Sequence, residues 1–156
     1  MARFSKLGEH GGLWLAIGVA GQLLDGPRRR EWRAATRTVA SAYVLNTAIK
    51  PLAGRRRPEL PGLPALSATP TRLSFPSAHA TTSFAGAVSY SRLGLARAPL
   101  FALAGALSFS RVYLGVHHPS DVLAGGLLGS LIGRLGARLA RAAGSSVAGV
   151  AAAHAP

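Results

Sequence analysis

The stretch Ser110-Arg111-Val112-Tyr113-Leu114-Gly115-Val116-His117-His118-Pro119-Ser120-Asp121 closes one apolar segment and opens another. Between the two it holds a cation, an imidazole and a carboxylate, in the pattern S-R-x5-H-x3-D. Two further polar clusters precede it. One runs from Lys50 through Arg57 to Pro58 as K-x6-R-P, and the other is Pro76-Ser77-Ala78-His79, P-S-x-H. At the pattern positions they supply cations, small donors, two histidines and one carboxylate within about seventy residues. That is the inventory for moving a phosphoryl group, which needs charge neutralised on the equatorial oxygens, a nucleophile and a proton for the leaving oxygen.

Around these clusters the chain is apolar. A net charge of +13 first suggests a nucleic-acid binder, but charged residues are only 15% of the 156 and hydrophobic ones 49%. Mean hydropathy is positive at +0.27. A basic soluble binder would spread its arginines over polar surface with aromatics between them. Here they are grouped between apolar stretches, as in a small multi-spanning membrane protein. The length suits a single domain, 1–143, followed by an Ala/Gly/Ser-rich tail, 144–156, read as disordered. Cysteine is absent, which excludes disulfides and thiolate metal sites. With no small-residue cleavage site after it, the first apolar run reads as an uncleaved segment rather than a signal peptide.

Five apolar segments follow from the pattern: 13–24, 34–52, 76–95, 99–113 and 121–139. The expected fold is therefore all-α, an integral-membrane bundle of about five helices. The first segment is short of the roughly 20 residues a span needs. Four prolines make 55–74 a loop. Pro76 and Ser77 start the third segment, with Ser77 as cap, and its run of small residues lets helices approach closely. Trp14 and Tyr113 read as interface aromatics.

If segments two to five alternate across a bilayer, all three clusters fall on one face. The opposite face then collects ten basic residues against six on the motif face. That excess marks the cytoplasmic side, so the expected localisation is the cell membrane, multi-pass, with the site on the extracytoplasmic face.

The three patterns resemble the signature of the type 2 phosphatidic acid phosphatase (PAP2) superfamily, which also contains the vanadium haloperoxidases. The match covers Lys50 to Asp121 and departs at one position, Ala78, where the family has glycine. The short format and the sequence over 34–126 are also similar to the actinobacterial members that act on decaprenylphosphoryl-5-phosphoribose. Undecaprenyl diphosphate, phosphatidylglycerophosphate and phosphatidic acid are competing substrates. Other classes are a vanadate-holding haloperoxidase and a non-catalytic lipid-binding membrane protein. The partners expected are a lipid phosphate and the bilayer, not nucleic acid.

Chemistry assigns roles residue by residue. Lys50, Arg57 and Arg111 supply cations, and the Arg57 fork suits a phosphate. Ser77 Oγ and the Ala78 N–H, at a helix N-terminus, are donors to an anion. These groups do electrostatically what a metal would do, and with five acidic residues in all there is no carboxylate cluster to hold one; no cofactor is expected. Asp121, four residues after His117, can accept from one imidazole nitrogen and leave the other nucleophilic. The resemblance implies that His117 attacks phosphorus to form a phosphohistidine, while His79 protonates the leaving oxygen and later activates water. Arg55 and Arg56 read as solvated or headgroup contacts, and Arg72 as a loop charge. His118 reads as structural, and His10 and His154 as incidental.

Overall fold

The computed structural model describes residues 1–59, 69 and 71–153. Six α-helices are present among them: α1 (Ala2–Lys6), α2 (Gly12–Leu24), α3 (Arg29–Ala53), α4 (Ala78–Ser91), α5 (Arg97–Tyr113) and α6 (Pro119–Ala153). A 3-10 turn, Glu9–Gly11, joins α1 to α2, and the extended structure among the described residues is one isolated bridge, Arg56 to Leu73. The loop expected at 55–74 is present at both ends, while 60–68 and 70, like His154, lie outside the described residues.

Helix α4 is the axis of the bundle. It packs on α6, α3 and α5, and buries residues on every side, including Ala80, Thr81, Thr82, Ser83, Ala85 and Ala87. Small side chains make that possible. On α6, a Cβ at Gly125 would stand 2.6 Å from the Ser77 carbonyl, and one at Gly129 would collide with the Thr81 carbonyl. Glycines four residues apart thus let α6 lie directly on the α4 backbone. The other face of α6 carries Leu123, Leu127, Leu131, Leu135 and Leu139, between 45% and 75% exposed. With glycine inside and leucine outside, α6 is built for an apolar solvent.

Among the described residues, Pro119–Ala143 is the one stretch of helix long and apolar enough to cross a membrane. The 14 residues of α4 rise only about 21 Å, less than the roughly 30 Å of hydrocarbon. The third segment is shorter than its apolar run because the chain turns at Gly94, φ +87°. At the C-terminus the backbone stays helical to Ala153, through most of the stretch that composition reads as a disordered tail. Alanine has the highest helix propensity, and 142–153 is rich in it.

Trp14 corrects an expectation. It is fully buried, donates its indole N–H to Ser83 Oγ at 2.9 Å, and packs with Trp32 and Tyr90 in the core. Tyr113 is 59% exposed, in line with an interface aromatic.

Candidate active site

The three clusters meet at one end of the bundle. Lys50 comes from the last turn of α3, Ala78 and His79 from the first turn of α4, Arg111 from the last turn of α5, and Asp121 from the first turn of α6. Arg57 reaches in from the loop after α3, and His117 sits between α5 and α6. A cavity of about 100 Å³ is lined by Lys50, Arg57, Ala78, His79, Arg111 and His117.

His117 is the most constrained of these. Arg57 Nη1 lies 3.2 Å from its Nε2. A guanidinium has only donors, so Nε2 carries the lone pair and the ring proton is on Nδ1. Nδ1 faces Asp121 Oδ2 at 3.5 Å, an ion-pair contact too long to satisfy it as a hydrogen bond. The buried Asp121 carboxylate is held instead by the His118 amide on Oδ2 at 2.9 Å and by Arg55 Nη1 on Oδ1 at 3.0 Å. Burial first, and then the charges of Arg57, Lys50 and Arg111, push the His117 imidazole far below its ordinary value. It stands as a neutral base.

Arg57 is anchored by its own donors, Nε to the Thr71 carbonyl at 2.8 Å and Nη1 to the Val116 carbonyl at 2.7 Å. Burial lowers its pKa from the ordinary value, with Asp121 opposing; it remains a cation. Lys50, 7% exposed, donates to the Pro76 carbonyl at 2.9 Å. Arg111 gives Nη1 to Ser5 Oγ at 2.7 Å, and its buried Nε has no partner. Ser77 precedes α4 as a cap does, but its side chain does not cap: Oγ is buried without a partner, and its amide donates to the Asp121 carbonyl at 3.0 Å. Ala78 opens α4, so its N–H is one of the first-turn amides left without a helical acceptor.

Several residues at the site carry no signal in the motifs. Arg55, read as solvated, bonds Asp121 and Ser120 Oγ. His10, read as incidental, lines the same cavity and pairs its Nδ1 with the Tyr43 hydroxyl at 2.7 Å. It is the non-glycine residue with positive φ (+53°) among those described, and such conformations concentrate at functional sites. Tyr43 was findable, since it precedes Lys50 by seven residues, two turns along one face of α3. Ser5 and Glu9, the latter also lining the cavity, were not. His79 gives Nε2 to the Ser5 carbonyl at 3.0 Å, a contact across 74 residues.

The chain is similar to several known proteins. The chain is 39% identical over 131 residues to decaprenylphosphoryl-5-phosphoribose phosphatase of Mycobacterium tuberculosis, covering 84% of this chain and 73% of that one. Its fold is similar to that of Aquifex aeolicus LpxE, with a TM-score of 0.72 at 25% identity over 87% of this chain and 82% of LpxE. A transmembrane PAP2 type phosphatidylglycerolphosphate phosphatase from Bacillus subtilis superposes with a TM-score of 0.68 at 24% identity, over 85% and 71%. The model of the PAP2 superfamily matches residues 32–145, from the start of α3 to well into α6, and the chain belongs to that superfamily.

Proposed function

We propose that this membrane phosphatase cleaves a phosphomonoester or diphosphate of a lipid carrier through a phosphohistidine on His117. The observation that carries the reading is the Arg57 contact on His117 Nε2, which puts the ring's lone pair on that nitrogen beside a cationic cavity. An arriving phosphate would take Arg57, Lys50 and Arg111 as counter-charges, with the Ala78 amide and Ser77 Oγ as donors. His117 Nε2 then attacks phosphorus, and the P–O bond to the lipid breaks. His79 protonates the departing oxygen, afterwards takes a proton from water, and hydroxide releases phosphate from His117. Asp121 holds the His117 ring as positive charge develops. The donor set is cationic and suits an anion rather than a divalent metal.

Likeness to the mycobacterial relative favours a polyprenyl-phosphosugar substrate, decaprenylphosphoryl-5-phosphoribose first. Undecaprenyl diphosphate and glycerolipid phosphates are alternatives. The leucine face of α6 supports a site at a bilayer rim, where the head enters and the tail stays in lipid; the charge bias supports the extracytoplasmic side.

The test is phosphate release by purified protein in EDTA across prenyl and glycerolipid phosphates. Release from a prenyl phosphosugar ahead of the rest is expected. No release from any of them would leave a lipid-binding protein.

A further inference from the structure

The roles just given leave His79 without a stated source of alignment, and the N-terminal segment without a task. His79 Nε2 lies 3.0 Å from the backbone carbonyl of Ser5, which can only accept. The Nε2 therefore bears a proton, and Nδ1 is the nitrogen left to give and take one. The Cδ2–Nε2 edge of the ring is pressed onto this segment: a Cβ at Gly8 would stand 2.7 Å from His79 Cδ2. Ser5 is itself held, 1% exposed, by Arg111 Nη1 on its hydroxyl. Each of the two imidazoles thus faces an oxygen with one nitrogen, His117 with Asp121 and His79 with Ser5.

We infer that Ser5 is a positioning residue for His79, its carbonyl fixing the Nε2–H tautomer so that Nδ1 works as the acid and then the base, and that α1 is accordingly part of the active site. The inference rests on the reading of His79 as proton donor. Arg111 couples this post to phosphate binding, because the guanidinium that holds Ser5 has its Nε free for the anion.

The experiment compares kcat/KM for decyl phosphate, whose alkoxide must be protonated, with that for p-nitrophenyl phosphate, whose leaving group needs no proton. Both values end at the phosphohistidine. His79→Ala is the reference and should lose about 100-fold or more on the alkyl ester and little on the aryl ester. Gly8→Ala, which pushes the ring off Ser5, should show the same selective loss at about tenfold or more. Deletion of residues 2–8 should do likewise, and Ser5→Ala, which keeps the carbonyl, should lose less than either. If His79→Ala loses both substrates equally, the proton-donor reading fails. If it is selective while Gly8→Ala and the deletion are uniform, unchanged or faster, the inference fails alone. A faster deletion variant would mean that α1 obstructs the site. Melting temperature in detergent, measured for each variant, identifies misfolding, and Gly8→Ala carries the test if the deletion unfolds.

Discussion

Arg57 donates to the ring nitrogen of His117 that the proposed reaction needs bare, at 3.2 Å. This contact fixes the tautomer before substrate arrives, and it is one that the substrate must take over. His117→Ala removes the proposed nucleophile and should abolish phosphate release while leaving the melting temperature in detergent close to wild type. Turnover within a few-fold of wild type would end the phosphohistidine mechanism. Arg57→Lys keeps the charge and loses the fork; a fall of about tenfold or more in kcat/KM is expected.

The electrostatics around His117 predict a pH profile. An imidazole of ordinary pKa, 6.5, is mostly protonated at pH 5.5 and cannot attack. Burial and the neighbouring cations hold His117 far lower, so its reactive form persists as the pH falls through 6.5. In Arg57→Gln the cation at 3.2 Å is gone while burial, the larger cause, stays, so the pKa rises only part of the way and any acid limb should enter well below 6.5. The ratio of variant to wild-type kcat/KM between pH 5 and 8 cancels the substrate's own ionisation. A limb entering at 6.5 or above would show that Arg57, rather than burial, holds the imidazole neutral.

Vanadate adopts the trigonal-bipyramidal geometry of a phosphoryl group in flight, and a cationic cradle facing a neutral imidazole should bind it. Competitive inhibition by vanadate, together with full activity in EDTA, is the expected result. Loss of activity in EDTA, restored by Mg²⁺, would require ligands that this cavity does not offer.

How much was legible follows from how far apart the partners lie. Lys50, Arg57, His79, Arg111, His117 and Asp121 were legible because three short spacings hold them, and because alternating segments deliver helix ends to one side. Asp121 four residues after His117 brought the two into contact. Ser5 was illegible because its contacts span 74 residues to His79 and 106 to Arg111, and α1 is five residues with no periodicity to read. Trp14 was misread for a related reason. An indole near the start of an apolar run looks interfacial unless the Ser83 hydroxyl that satisfies it, 69 residues on, is known.

Packing of α6 on α4 yields a stability prediction. A side chain at Gly129 would enter the Thr81 backbone, which cannot give way as a flexible side chain can. Gly129→Val should cost about 1–3 kcal/mol and lower the melting temperature in detergent by several degrees. Gly105→Ala, where a Cβ meets nothing within 4 Å, should leave it unchanged. Equal behaviour of the two would mean that α6 does not seat on α4 through its glycines.

Arg55 separates holding the nucleophile from binding the phosphate. It lies on Asp121 Oδ1, and its side chain is 39% exposed while Asp121 is fully buried. The His118 amide occupies Oδ2, the oxygen nearest His117. Without Arg55 the carboxylate is free to turn, and the charge that stabilises the His117 imidazolium is less well placed. Arg55→Gln should therefore lower kcat about tenfold, the usual cost of removing a group that orients a catalytic one, with KM changed less than threefold. Arg111→Gln removes a direct counter-charge and should raise KM as well. A rise in KM without loss of kcat in Arg55→Gln would make Arg55 a headgroup ligand, the role its place in a run of arginines first suggests.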